Sequence, residues 1–281
     1  MSTTSRVGVI GLGIIGARVA KNLRKAGFDV YVWNRTSKDE PQFVQSPQAL
    51  AETCQVLQIF VANDAAILET LEKLRPALTP QHLLIVHSTI SPETIKQIKA
   101  AIDPVGAHLI DAPFTGSKGA AEKGQLVYYV AAEPADLERA KPILEATSKH
   151  IVYFDQLGDA SLIKIATNLI TASIVQSLSE AVAITEKAGV NPAKLAEAIE
   201  YNACRSGVSD LKLQAIIKKD FEPNFSLANM LKDSRLALKL AEKLKLEIPV
   251  TKTISQLLSR ADGKGWGAQD FAIVSELVRA E

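Results

Sequence analysis

Cysteine is scarce. Cys54 and Cys204 are the two in 281 residues, and they stand far apart. One disulfide is possible, but a chain this long does not need it, and two reduced thiols are expected. Histidine is equally thin: His82, His87, His108 and His150 are scattered, and no Cys/His spacing resembles a zinc site, so no metal is expected. An excess of either charge is missing too. Thirty-two basic side chains face 31 acidic ones, for a net charge of +1. No strong single-sign field follows, and a dedicated nucleic-acid role gains no support. A local pocket can still hold a small anion. The opening "MSTTSRVGVIGLG" carries no signal peptide, and no apolar run is long enough to span a bilayer. A cytoplasmic protein without a membrane partner is expected.

What is present is an alternation. Short apolar runs at "RVGVIG", "DVYVW" (29–33), "VLQIFV" (56–61), "LLIVHS" (83–88), "HLIDAP" (108–113), "QLVYYVA" (125–131) and "HIVYF" (150–154) read as strands. Helical patterns separate several of them: 14–26, "AAILETLEKLRPAL", and "SPETIKQIKAAI", where Ser91 is placed as N-cap and Pro92 at the first helical position. Near-continuous apolar strands between helices imply a mostly parallel sheet covered on both faces. After Asp155 the strands stop. One helical pattern runs from Asp159 to about Gly189, long enough at about thirty residues to reach roughly 45 Å. Further helices are expected at 192–202, 207–219, 226–245, 249–262 and 268–279. The fold class is therefore α/β: a Rossmann-type doubly wound sheet over 1–157, then an all-α domain over 158–281, joined by a long helix.

"Gly11-Leu12-Gly13-Ile14-Ile15-Gly16" follows the first strand and opens the first helix. In that setting the three glycines serve a tight turn, close approach of a pyrophosphate, and close helix–strand packing. The helix N-terminus faces the phosphates with its N–H groups. At the end of the second strand an NAD enzyme usually carries a carboxylate for the ribose 2′-hydroxyl. This chain has Asn34, Arg35 and Thr36 instead. Arg35 suits a 2′-phosphate, so NADP (NADPH) is preferred and NAD remains possible.

Lys164 sits in "SLIKIATNLITAS", a segment otherwise apolar apart from small polar residues. At about 100° per residue, Ser161, Lys164, Thr167, Asn168 and Thr171 share one wedge, a polar stripe on a helix expected to be buried elsewhere. Two readings of that stripe need no chemistry: a solvated face, or a lysine paired to a core carboxylate. The functional reading is a general acid. A lysine partly withdrawn from water has a lowered pKa and can protonate the alkoxide that develops when a carbonyl is reduced. Asn168, one turn on, can orient the substrate. The other polar cluster, "DAPFTGSKGAAEKGQL" (111–126), reads as a loop at the carboxyl end of a strand. There the Thr115 hydroxyl and Gly116 N–H can hold a carboxylate.

With "GLGIIG" at 11–16, "DAPFTGS" at 111–117, "KIATN" at 164–168 and "FSLANMLKDSRLAL" at 225–238 in this order, the chain resembles the β-hydroxyacid dehydrogenase family over essentially its whole length. The "GSK…AEKGQL" run is most similar to its glyoxylate and succinic semialdehyde reductases. The resemblance implies Lys164 as catalytic acid/base and Asn168 as its partner. It implies Thr115, Gly116, Ser117, Phe225 and Asp233 around the substrate. Around the cofactor it implies the glycine turn, Asn34, Arg35, Thr36, Val61, Ala62, Thr89 and Lys232. The helical half would pair with a copy of itself as a homodimer or homotetramer. Three positions depart from the family's habit: Thr115 for Ser, Ile15 for Met and Phe114 for Val. The expected activity is NADPH-dependent reduction of a small anionic aldehyde acid, such as glyoxylate or succinic semialdehyde. The alternative is NAD-dependent oxidation of 3-hydroxyisobutyrate or another 3-hydroxy acid. A non-catalytic NADP-binding scaffold is a third reading, against which the intact Lys164 speaks.

Overall fold

Residues 7, 9, 83 and 85 pack into one apolar cluster, while residues 10, 57, 84 and 86 pack into another. Alternate side chains of the same strands thus serve two cores, one on each face of a sheet. This is why β3 (Val56–Ile59) and β4 (Leu83–Val86) are buried at every position and read as apolar runs, broken only by Gln58. A computed structural model describes residues 6–279, so the first five residues of the stretch weighed for a signal peptide lie outside the described residues. β1 (Arg6–Ile10), β2 (Asp29–Trp33), β3, β4 and β5 (His108–Asp111) are parallel, in the spatial order β2-β1-β3-β4-β5. The order reverses between β1 and β3, and the glycine turn lies at the carboxyl end of β1, where open α/β sheets bind ligands. Ser46, Asn63 and Ser91 each accept a backbone N–H three residues on and begin helices at Pro47, Asp64 and Pro92. Each cap contributes about 1 kcal/mol.

Beyond β5 the sheet is mixed. β6 (Phe114–Thr115) and β7 (Leu126–Ala131) are antiparallel, and β8 (Ser148–Phe154) is parallel to β7. Asp111 stands opposite Ala131 and Phe114 opposite Tyr128, the same register on both sides of Ala112-Pro113. β5 and β6 therefore form one strand interrupted by a proline, whose carbonyl still accepts from Tyr129 N. The segment expected as a loop over 111–126 is thus partly strand. It also holds a short helix, Lys118–Glu122, capped by Ser117, whose Oγ accepts from Ala120 N.

Two compact units are distinguished, Met1–Lys164 and Ile165–Glu281. The helix expected near 159–189 runs Asp159–Lys187, and the division falls within it, six residues after its start and seven after the expected boundary at 157. The second unit continues with helices Pro192–Glu200, Gly207–Lys218, Leu227–Lys243 and Pro249–Gly263 around Val175, Leu213, Met230, Ile254 and Phe271. The last expected helix, 268–279, is instead a 3₁₀ turn, Phe271–Val274, followed by Ser275–Arg279. Asp270 caps that turn through Ala272 N.

The long helix corrects two expectations. Its polar stripe is buried at Ser161, Lys164 and Asn168, which are 0%, 9% and 7% exposed, whereas Ile170, on a side expected to be buried, is 61% exposed. The periodicity locates the stripe but not the side that faces inward, because its polar residues have protein partners. By length and composition alone this helix is also apolar enough to cross a membrane, contrary to the reading that no stretch is. The core helix of a globular domain passes the same test.

Candidate active site

The glycine turn is built by steric necessity at two of its positions. A Cβ on Gly11, at φ +92°, would stand 2.0 Å from the Phe60 carbonyl oxygen, and one on Gly16 would stand 2.0 Å from that of Gly11. Gly13 is different, because a Cβ there meets no protein atom within 4 Å. Protein packing leaves that side of the backbone open, as close approach of a dinucleotide pyrophosphate to the turn would need. Ile14 is exposed, Ile15 occupies the N-cap position, and the helix runs Gly16–Lys25. Asn34 is tied into the protein: its Oδ1 accepts from Leu12 N at 2.9 Å, and its Nδ2 donates to the Thr36 carbonyl. It thereby braces the turn. Arg35 and Thr36 are exposed beside it. Lys38, which the sequence reading passed over, donates to the Leu12 carbonyl at 2.7 Å and adds a second cation at this edge.

The next two strand ends meet as well. Ser88 Oγ accepts from Val61 N at 2.8 Å, next to exposed Ala62. Asp64 Oδ1 accepts from Ser91 N and Thr94 Oγ1, holding the Thr89–Ser91 segment. Burial pushes the Asp64 carboxyl up, but these hydrogen bonds outweigh it and leave its pKa lowered. His87, fully buried, stacks on Phe60 and bonds the Ala112 carbonyl through Nδ1 at 2.7 Å. Burial drives its pKa down to about 3 against the opposing Ala112 bond, so the ring is neutral.

In the following segment Thr115 is half-buried and Gly116 is exposed, at φ +137°. A Cβ on Gly116 would strike Leu126 Cδ2 at 2.9 Å. Ser117 spends its oxygen on the helix cap. Asp111, at the start of the segment, is fully buried and accepts from Gly158 N, Ser161 N and Ser161 Oγ. Burial, aided by the nearby Asp159 charge, raises its pKa to about 6 despite those bonds.

Lys164 lies one helical turn before Asn168. Asn168 Nδ2 donates to Asp233 Oδ2 at 2.6 Å, and Lys232 Nζ lies 2.6 Å from Asp233 Oδ1. Asn168, Lys232 and Asp233, expected to serve separately, thus meet, with Asp233 only 1% exposed. Phe225 is half-buried against Phe271, edge to face at 6.0 Å. Its N–H donates to Asp270 Oδ2, as does that of Asn224. Asp270 in turn pairs with buried Lys212, 2.7 Å to each oxygen. Neither member of that pair stood out in the sequence, because 58 residues separate them. Among the described residues no group of three or more His, Cys, Asp or Glu is placed to hold a metal ion.

Comparison with known proteins agrees in both halves. Residues 6–155 match the family described as the NAD binding domain of 6-phosphogluconate dehydrogenase. Residues 158–278 match that described as NAD-binding of NADP-dependent 3-hydroxyisobutyrate dehydrogenase. The chain is 31% identical to glyoxylate/succinic semialdehyde reductase 2, chloroplastic, of Arabidopsis thaliana, over 99% of this chain and 80% of that one. It is 28% identical to 2-hydroxy-3-oxopropionate reductase of Escherichia coli, over 98% and 96%. Among solved structures, 3-hydroxyisobutyrate dehydrogenase from Salmonella typhimurium superposes with a TM-score of 0.87 at 24% identity, covering 97% of this chain and 99% of that one.

Proposed function

Since the chain belongs to the β-hydroxyacid dehydrogenase family and is an NAD(P)-dependent oxidoreductase acting on hydroxyl or carbonyl groups, we propose that it reduces a small aldehyde acid, glyoxylate or succinic semialdehyde, with NADPH. The observation that carries this reading is the buried stripe on the long helix. Lys164 is withdrawn from water, and the amide one turn on is held by a buried carboxylate. Bound NADPH supplies the hydride. Lys164 Nζ gives its proton to the carbonyl oxygen as negative charge develops there. With Nδ2 committed to Asp233, the Asn168 amide is held in one orientation, from which it positions the substrate. Asp233 then orients Asn168 rather than touching substrate. Lys232 cancels its charge, so an anionic substrate is not repelled. The Thr115 hydroxyl and the Gly116 N–H bind the substrate carboxylate.

Preference for NADPH is supported by Arg35 and Lys38 and by Asn34, Arg35 and Thr36 standing directly after β2 in place of a carboxylate. The reductase name of the Arabidopsis relative supports the aldehyde-acid substrate class. The second reading, oxidation of a 3-hydroxy acid, is favoured by the description of the family matched over 158–278. Pairing of the helical unit with a copy of itself is supported by exposed Ile170 and Ile184 on the long helix.

The test follows loss of NADPH or NADH absorbance with glyoxylate, succinic semialdehyde, tartronate semialdehyde and methylmalonate semialdehyde. Turnover with NADPH and either of the first two is expected. Turnover with NADH alone overturns the cofactor assignment, and turnover of only the last two overturns the substrate assignment.

A further inference from the structure

The residue before the helix that carries Lys164 is a glycine and has no side chain with which to cap it. Gly158 precedes Asp159, and it holds φ +101°, where a Cβ would also crowd Pro92 Cβ at 3.2 Å. A residue with a capping side chain does not fit there. The acceptor comes from elsewhere in the chain. Asp111 Oδ2 takes the N–H groups of Gly158 (3.2 Å) and Ser161 (3.0 Å), and Oδ1 takes the Ser161 hydroxyl at 2.7 Å. Both side chains are wholly buried, so neither has water as a substitute partner. Ser161 lies one turn before Lys164 on the same helix. Asp111 is also the last residue of β5, directly before the segment with Thr115 and Gly116.

We infer that Asp111 is a positioning residue: it anchors the first turn of the long helix to the end of β5 and so sets where Lys164 stands relative to the Thr115–Gly116 segment. Asp111 touches neither substrate nor cofactor in this account. The inference rests on Lys164 being the proton donor, as proposed above. Asp111 differs from an ordinary N-cap in coming from a strand 47 residues earlier, so it fixes the helix in position as well as ending it.

Three variants test it. Ser161→Ala removes one hydrogen bond with little volume change, Asp111→Asn keeps an acceptor but removes the charge, and Lys164→Ala tests the underlying reading. Two quantities are compared with wild type. One is hydrogen exchange of the amides at 158–165. The other is kcat and KM for the aldehyde acid with NADPH, measured in light and heavy water. Both clamp variants are expected to exchange the first turn about tenfold faster. Their kcat should fall by roughly ten- to a hundredfold, since misplacing a reacting group by an ångström costs that much. KM for NADPH should stay unchanged, and the solvent isotope effect should grow as proton transfer becomes slower. Folded Ser161→Ala with wild-type kcat and isotope effect, beside an inactive Lys164→Ala, overturns the positioning role and leaves the proton donor standing. An active Lys164→Ala overturns the donor itself. A variant that loses only thermal stability makes Asp111 purely structural and also contradicts the inference.

Discussion

Asn168 Nδ2 donates to Asp233 Oδ2 at 2.6 Å across 65 residues of sequence, inside the helical unit. A buried carboxylate thus fixes the orientation of the Asn168 amide. Replacing Asp233 by Ala leaves the amide without its buried acceptor, at a cost of about 1–3 kcal/mol in stability. Asp233→Asn should cost less in stability yet still release the amide. Both variants should lower kcat more than they raise KM for NADPH, which steady-state kinetics beside urea unfolding will show.

Arg35 and Lys38 are exposed, and the account gives them a 2′-phosphate to bind. A hydrogen bond to a charged group contributes about 1.5–3 kcal/mol, so Arg35→Ala should weaken NADPH roughly ten- to a hundredfold. NADH binding should hardly change. Fluorescence titration with each nucleotide checks this, and equal losses for both would make Arg35 a general contact.

The buried Lys212–Asp270 pair should respond unequally to losing one partner or the other. Asp270 also accepts from the N–H groups of Asn224, Phe225 and Ala272, so Lys212→Met leaves the carboxylate with three donors. Asp270→Ala instead strands a buried ammonium and frees three N–H groups, a loss of about 3–5 kcal/mol. Chemical unfolding of the two variants should show Asp270→Ala as much the weaker.

Acid stability follows from two buried groups of opposite sign. His87 is held neutral with a pKa of about 3 while the unfolded chain takes up its proton near the ordinary 6.5, so its contribution is lost as pH falls below that value. Asp111, raised to about 6 from 3.8, contributes in the reverse sense. The native state binds its proton more tightly than the unfolded chain, so that contribution is complete at low pH and disappears as pH rises through about 6. The two offset each other between roughly pH 4 and 6. Asp111→Asn should therefore lose stability more steeply on acidification than wild type, as thermal melts across that range will report.

What could be read from the sequence was local. Gly11 and Gly16 sit in the turn their spacing suggests, and Ser91 with Pro92 begins its helix as placed. These features depend on neighbours a few residues away or on a strand–turn–helix unit. The contacts of Asp111 with Ser161, Lys212 with Asp270 and Asn168 with Asp233 span 50 or more residues, and no periodicity encodes them. The same limit explains the long helix. From periodicity alone the stripe of Ser161, Lys164 and Asn168 fits a solvated face as well as a buried one, and the choice rests on the distant partners of Ser161 and Asn168. Between residues 111 and 126 the glycines at 116, 119 and 124 suggested a loop, but the register against β7 and the Ser117 cap impose order there.

The most direct measurement is turnover of NADPH with the aldehyde-acid panel by wild type and Lys164→Ala, alongside NADPH binding to both. The account predicts wild-type turnover, loss of at least about a hundredfold in the variant, as expected for removing a general acid, and unchanged NADPH affinity. A Lys164→Ala enzyme that binds NADPH and turns over near the wild-type rate would contradict it.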